Sequence, residues 1–138
     1  MSRDFENLFP VLEALNIGFV AFSPLANGFL SDKYTKDSKF DAKTDYRANM
    51  PQFSKEGFED NQKLLELLRN TAQNKNATSV QISLAWMLAK KPYIVPIHLQ
   101  DNIKAADVEI TSTELKELNN ALAEVKMSEV FGGTKQSN

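Results

Sequence analysis

Two short apolar stretches, residues 18–22 (GFVAF) and residues 93–97 (YIVPI), constrain the fold of this chain more than any other feature. Each is uncharged, rich in β-favouring residues and bounded by residues that break regular structure, a pattern that predicts a short buried strand. The second stretch shows no polar alternation, which is typical of parallel strands covered on both faces. Since helix-like segments separate the two stretches, their order predicts an α/β fold with parallel strands joined by helical crossovers.

Two helices are predicted in the first half of the chain. Residues 5–16 follow Asp4 as an N-cap, and Pro10 fits this helix only near its first turn or at a bend. Residues 55–75 follow Ser54 as an N-cap, and their apolar residues recur at helical spacing. The apolar stripe of this second helix consists of Phe58, Leu64, Leu65, Leu68 and Ala72.

The second half of the chain carries two capping-box signals. Thr78 with Gln81, and Thr111 with Glu114, have the spacing in which an N-cap hydroxyl and a side chain three residues later cap each other's backbone. The helix after Thr78 is apolar over most of its surface, so we expect it to be packed on two sides. Residues 99–106 (LQDNIKAA) predict a further short helix. The apolar face of the helix after Thr111 consists of Leu115, Leu118, Leu122 and Val125.

Two segments lack a regular pattern. Residues 31–53 are polar and without clear periodicity, and connections of that length are usually functional loops or disordered. Residues 132–138 (GGTKQSN) are expected to form a frayed tail. With 138 residues the chain is long enough for one ordinary domain with a single core.

Composition excludes several classes of function. The net charge of −2, with 25% charged residues of both signs interspersed, gives no electrostatic case for nucleic acid or an anionic membrane. There is no cysteine, so disulfides and thiolate sites are excluded, and a single histidine gives poor support for a metal site. No apolar run approaches the roughly 20 residues of a membrane span, and the first residues are not a signal peptide. A cytoplasmic protein is therefore expected.

The number of predicted strands is too small for an independent sheet. Two parallel strands leave both edges open and bury too little surface to be stable. We therefore expect the missing strands to come from a further polypeptide segment or from another copy of the chain.

The end of the first predicted strand has the features of an anion site. Ser23 and Pro24 begin a turn, and Asn27 with Gly28 follows before the chain becomes apolar again. Backbone N–H groups in a turn at the carboxyl end of a parallel strand can hold an anion, and Gly28 would let a phosphate approach closely. The alternative is an ordinary strand-to-helix turn, because Ser-Pro and Asn-Gly are common turn formers.

Four segments occur in the order and approximate spacing of one family: residues 18–34, 45–54, 76–97 and 99–118. On these segments the chain resembles the C-terminal part of the NADPH-dependent aldo-keto reductases, close to their bacterial members and the potassium-channel beta-subunit type. The resemblance implies that residues 1–138 are part of one barrel domain, a partial (β/α)8 TIM barrel. It would consist of the last two β/α units, with residues 18–22 as strand seven and residues 93–97 as strand eight, and the C-terminal helix.

The resemblance also implies which residues meet an NADP(H) cofactor. Phe22 matches the aromatic residue that stacks on the nicotinamide at the end of strand seven. Lys33 matches a basic residue near the phosphates, and Arg47 a further arginine that clamps the cofactor. The pyrophosphate-binding segment is matched by Ser23, Pro24, Leu25, Asn27 and Gly28.

At the adenine end, Asp101 and Asn102 match an acid–asparagine pair, with an acid one methylene shorter than usual. His98 occupies a polar or basic position four residues before Asn102. The family's loop after strand eight is missing, because Ile97 runs directly into His98. Since that loop holds the 2′-phosphate and closes over the pyrophosphate, NADP(H) binding by this chain is expected to be weak or absent.

The catalytic Asp, Tyr, Lys and His of the family belong to earlier strands, and no catalytic or metal-binding residue is assigned in this chain. Tyr34, Tyr46 and Tyr93 do not fall in the catalytic motif. Two functions follow. The chain supplies cofactor contacts to a carbonyl-reducing oxidoreductase, or it is a non-catalytic truncated or split product that acts at most as an oligomeric or nucleotide-binding fragment. Self-association, or a complementary N-terminal barrel half, is the expected partnership.

Overall fold

The computed structural model describes residues 4–97 and 104–125. Both predicted strands form, as β1 (Phe19–Ala21) and β2 (Ile94–Pro96), and they are parallel with Val20 opposite Val95. The mixed α/β class and the parallel pairing are therefore confirmed. The α-helices of the described residues are α1 (Phe9–Ala14), α2 (Lys55–Asp60), α3 (Gln62–Asn74), α4 (Ser79–Lys90) and α5 (Ser112–Ala123).

The first helix is shorter than predicted. Asp4–Leu8 is a 3-10 turn, and α1 begins only at Phe9 with Pro10 in its first turn. Proline has no amide hydrogen to donate into the preceding turn, so it suits the first turn of a helix, and the regular α-helix begins beside it at Phe9. The prediction of Asp4 as N-cap of a continuous helix is wrong, because Asp4 itself belongs to the 3-10 turn.

The predicted helix over residues 55–75 is divided at Asn61 into α2 and α3. The Asn61 side-chain amide donates to the Gly57 carbonyl at 2.7 Å, and its backbone has φ −91° and ψ 3°. Asparagine competes in this way with the helical backbone. The N-cap prediction is confirmed, since Ser54 Oγ accepts from the Gly57 amide at 2.9 Å. All members of the predicted apolar stripe are buried.

Both capping boxes are confirmed. Thr78 Oγ1 accepts from the Gln81 amide, and Gln81 Oε1 accepts from the Thr78 amide at 2.8 Å. Helix α4 contacts α3, α5 and β2, as its apolar surface predicts. Thr111 and Glu114 cap α5 in the same way.

Helix α5 packs through the apolar face that the sequence predicts. Leu118 and Leu122 are buried, and Leu115 and Val125 are partly buried against the core. Most of the predicted short helix at residues 99–106, and the whole tail at residues 132–138, lie outside the described residues.

The polar segment of residues 31–53 is held by aromatic side chains. The rings of Phe40 and Phe53 are 4.9 Å apart, and Tyr34 lies 5.6 Å from Phe53. Two 3-10 turns, Tyr46–Asn49 and Pro51–Phe53, also shape the segment. The structure therefore shows a packed loop, and its functional role stays a prediction.

The sheet is covered on one face only. Ala21 and Ile94 are buried on the side of α4, whereas Val20 and Val95 on the other face are 61% and 57% exposed. The expectation of coverage on both faces is thus not met within the described residues, which places the densely packed core on the helical side.

Candidate functional site

A cleft of about 320 Å³ lies at the carboxyl ends of the two strands. The turn that follows β1 forms one part of it, and Ile97, which follows β2, forms another. Six of the residues predicted from the sequence come together there. The cleft is lined by Phe22, Ser23, Pro24, Leu25, Asn27, Gly28, Tyr46 and Ile97.

The turn after β1 has an unusual backbone. Ser23, Ala26 and Asn27 have φ values of 51°, 51° and 57°, and Gly28 has φ 91°. Left-handed conformations cost a non-glycine residue about 1 kcal/mol or more, so contacts elsewhere must hold the turn. At Gly28 a side chain would also crowd Tyr34, because an added Cβ would lie 3.2 Å from its ring.

The anion site is smaller than the sequence predicts. The Ala26 amide donates to the Ser23 carbonyl and the Gly28 amide to the Leu25 carbonyl, both at 3.0 Å. These two N–H groups are therefore used inside the turn. Other amides of this stretch, those of Ser23 and Leu25 among them, donate to no acceptor in the described parts of the chain and remain available to an anion.

Asn27 is held by two hydroxyl groups. Ser23 Oγ and Tyr46 Oη each donate to Asn27 Oδ1 at 3.2 Å. The first hydrogen bond closes the turn on itself, and the second ties it to a segment 19 residues later. Through this bond the segment around Tyr46 becomes part of the cleft.

Two aromatic side chains are accessible at the cleft. Phe22 is 83% exposed and Tyr46 is 64% exposed. An exposed phenylalanine directly after β1 offers a face on which a planar ring can stack. Tyr46 and Ile97 are not predicted from the sequence, because their place in the cleft depends on contacts distant along the chain.

Lys33 and Arg47 are not among the residues that line the cleft. Lys33 is exposed. The Arg47 guanidinium donates to both carboxylate oxygens of Asp45 and to the Tyr34 hydroxyl, and it lies 4.9 Å from the centre of the Phe40 ring. The hydrogen bond from Arg47 lowers the pKa of the Asp45 carboxyl, and the same bond raises the pKa of Arg47. In this arrangement Arg47 secures its own loop.

Three predicted residues, His98, Asp101 and Asn102, lie outside the described residues, so their assignment stays a prediction. Across residues 4–97 and 104–125, no three His, Cys, Asp or Glu side chains are grouped closely enough to hold a metal ion. No helix within those same ranges has the length and apolar character needed to cross a membrane.

Comparison with known proteins gives one consistent result. The model of the Aldo/keto reductase family matches residues 1–123. The chain is 34% identical over 113 residues to "Aldo-keto reductase yakc [NADP(+)]" of Schizosaccharomyces pombe, covering 77% of this chain and 33% of that protein. It is 31% identical over 140 residues to "Probable aldo-keto reductase 1" of Glycine max, covering 96% and 39%. The chain thus spans about a third of the length of these relatives.

A solved structure has the same fold over the matched region. The glycerol dehydrogenase AKR11B4 from Gluconobacter oxydans aligns with a TM-score of 0.73 at 22% sequence identity. The alignment covers 99% of this chain and 42% of that enzyme.

Proposed function

This chain belongs to the aldo/keto reductase family, and we propose that it is the C-terminal part of an NADP(H)-dependent reductase of aldehydes and ketones. In this proposal β1 and β2 are the last two strands of a (β/α)8 barrel of the bacterial or potassium-channel beta-subunit type. The observation that carries the proposal is the cleft at the carboxyl ends of both strands. Ligands of parallel α/β folds and barrels bind at that edge.

The residues at this edge suit part of a nicotinamide cofactor. The exposed Phe22 ring would stack on the nicotinamide. The remaining amides of Ser23 and Leu25 would donate to the pyrophosphate, whose negative charge suits a concave group of backbone N–H donors. When bound, the cofactor supplies the hydride, and the role of this chain is to orient the ring and hold the phosphates.

The exposed sheet face supports a barrel that further strands complete. Val20 and Val95 are paired across the sheet, and both face away from the helical core. In a barrel, side chains on that face fill the interior, so they would be buried by strands contributed by a complementary N-terminal barrel half.

The proposal is tested with the 138-residue chain itself. Calorimetric titration with NADPH should give weak binding, and a Phe22→Ala variant should reduce the affinity further. No oxidation of NADPH is expected with a panel of aldehydes, because we assign no catalytic residue to this chain. Absence of NADPH binding up to millimolar concentration would contradict the proposed cofactor role, and turnover above background would contradict the role limited to cofactor contacts.

A second candidate is a non-catalytic product that self-associates. The observation in its favour is the amount of exposed apolar surface in the described residues, including Val20 and Val95 on the exposed face of the sheet, where contacts with another copy would be favourable. Light scattering should then detect concentration-dependent oligomers, and Val20→Lys with Val95→Lys should return the chain to a monomer. A wild-type chain that stays monomeric at all concentrations would contradict this candidate. The large exposed apolar residues are Leu8, Val11, Leu15, Ile17, Val20, Phe22, Tyr46, Val95 and Ile97.

A further inference from the structure

The turn after β1 needs a restraint from outside itself. It contains Ser23, Ala26 and Asn27 in left-handed conformations, which non-glycine residues keep only when their surroundings impose them. Two hydrogen bonds meet at Asn27 Oδ1, and the one from Ser23 belongs to the turn. The bond from Tyr46 Oη is the one that connects this amide oxygen to a different segment.

Tyr46 is well placed to provide such a restraint, because its own backbone is anchored. Tyr46 begins the 3-10 turn Tyr46–Asn49, whose N-cap is Asp45, with the Asp45 carboxylate accepting from the Arg47 amide at 3.0 Å. Arg47 in turn contacts Tyr34 and Phe40, two members of the aromatic cluster that packs on the core. The phenol hydroxyl of Tyr46 therefore extends from a fixed support to the turn.

Tyr46 also lines the cleft, together with Phe22 and Ile97. The same residue thus donates its hydroxyl hydrogen to the turn and borders the cleft. Tyr46 is mostly exposed, so its position is not explained by burial in the core.

We infer that Tyr46 is a positioning residue of the cleft, whose hydroxyl holds Asn27 and thereby keeps the Ser23 and Leu25 amides in the arrangement that receives the anion. This inference rests on the proposed function for the identity of the ligand. The restraint on the turn, however, exists without a ligand and is measurable in the free chain. Removal of the hydroxyl alone, in Tyr46→Phe, keeps the ring and tests the restraint.

The first measurement is amide hydrogen exchange in the ligand-free chain, followed by NMR. The Gly28 and Leu30 amides both donate to the Leu25 carbonyl and report directly on the turn. Tyr46→Phe should make these amides exchange about fivefold faster, as expected for the loss of a hydrogen bond of ordinary net strength. The matched control is Tyr93→Phe, which also removes one phenol hydroxyl, one that contacts Glu13 and the Phe9 carbonyl. The control should leave the turn unchanged.

The second measurement is the NADPH affinity of the same variants. Tyr46→Phe should weaken binding about fivefold, while Tyr93→Phe should bind like the wild type. Unchanged exchange of Gly28 and Leu30 in Tyr46→Phe, or an equal change in both variants, would overturn the inference. If the wild-type chain binds no NADPH, the proposed function fails, and the exchange measurement still decides the role of Tyr46.

Discussion

The helical side and the strand side of this molecule are stabilised very differently. On the helical side, α3, α4 and α5 bury residues such as Leu64 and Ile82 completely or nearly so, and side chains cap α4 and α5. On the strand side, each strand has three residues, and Val20 and Val95 remain exposed. The turn that leaves β1 adds a strained backbone to this exposed surface.

The helical side contributes most of the folding stability, whereas the strand side carries the candidate binding site. The helical side caps α4 and α5 with side chains and buries most of the apolar core, so it can determine the fold. The strand side exposes apolar groups and backbone donors. Covering them with a ligand or with further strands would lower the free energy of the folded state. Binding sites are commonly found on such less stable edges, positioned by a rigid scaffold.

Replacement of a buried and an exposed leucine by alanine should give the largest difference in the free energy of unfolding. Leu64 is fully buried in the helical core, while Leu15 at the end of α1 is 62% exposed. Leu64→Ala should lower the free energy of unfolding by about 3 kcal/mol, because it removes buried methyl groups and leaves a cavity. Leu15→Ala should change it by less than about 0.5 kcal/mol. Urea denaturation measures both, and equal losses would contradict the difference between the buried core and the exposed end of α1.

Alanine substitutions at two glycines should give a second, smaller difference in stability. A Cβ at Gly57 would lie 2.1 Å from the Pro51 carbonyl oxygen, whereas at Gly18 the nearest atom is the Tyr93 carbonyl oxygen at 3.7 Å. Gly57→Ala should therefore destabilise the chain by about 2 kcal/mol, since backbone must move to admit the methyl group. Gly18→Ala, next to β1, should be nearly neutral. Thermal melting of both variants checks this, and a stable Gly57→Ala variant would show that α2 packs less closely against Pro51–Phe53 than described.

The smallest effect concerns charge at the start of α5. The Lys75 ammonium 2.6 Å away, together with hydrogen bonds from Thr111, lowers the pKa of Glu114 to about 2 from an ordinary value of 4.5. A lowered pKa in the folded state means that the stabilisation is complete above pH 4.5 and is lost as pH falls toward 2. Because the carboxylate is 36% exposed, solvent screening limits its contribution to about 0.5–1 kcal/mol.

Glu114→Gln tests this charge while keeping a residue that can complete the capping box. At pH 7 the variant should be less stable than the wild type by the amount above, and near pH 2 the two should unfold at the same denaturant concentration. Glu117→Gln, on the exposed side of the same helix, serves as the control. A difference that persists at low pH would show that the cap geometry, rather than the charge, stabilises α5.

The sequence predicts the local features of this molecule well. The capping boxes at Thr78 and Thr111 and the two strands depend on residues close together in the chain, and each forms where predicted. The break at Asn61 escapes prediction because the apolar stripe continues through it. Only the hydrogen bond from its side chain to Gly57 reveals the division.

The candidate site is predicted only in part. The turn signal identifies Ser23, Pro24, Asn27 and Gly28, and the family resemblance adds Phe22 and Leu25. Tyr46 escapes because its partner Asn27 is distant in sequence, and no local pattern specifies that hydrogen bond. The packed state of residues 31–53 also depends on distant contacts. Its aromatic residues Tyr34, Phe40 and Phe53, spaced through an otherwise polar stretch, are the signal that could have indicated it.

We propose that NADP(H) binds on the strand side, in the cleft at the carboxyl ends of β1 and β2. An NMR titration of the ¹⁵N-labelled chain with NADPH tests this binding site, because it reports on every assigned amide. Chemical shift changes should be concentrated at Phe22, Ser23, Leu25, Tyr46 and Ile97. Shifts centred instead on the groove between Lys75 and Glu109 on the helical side, or no shifts at millimolar NADPH, would contradict it.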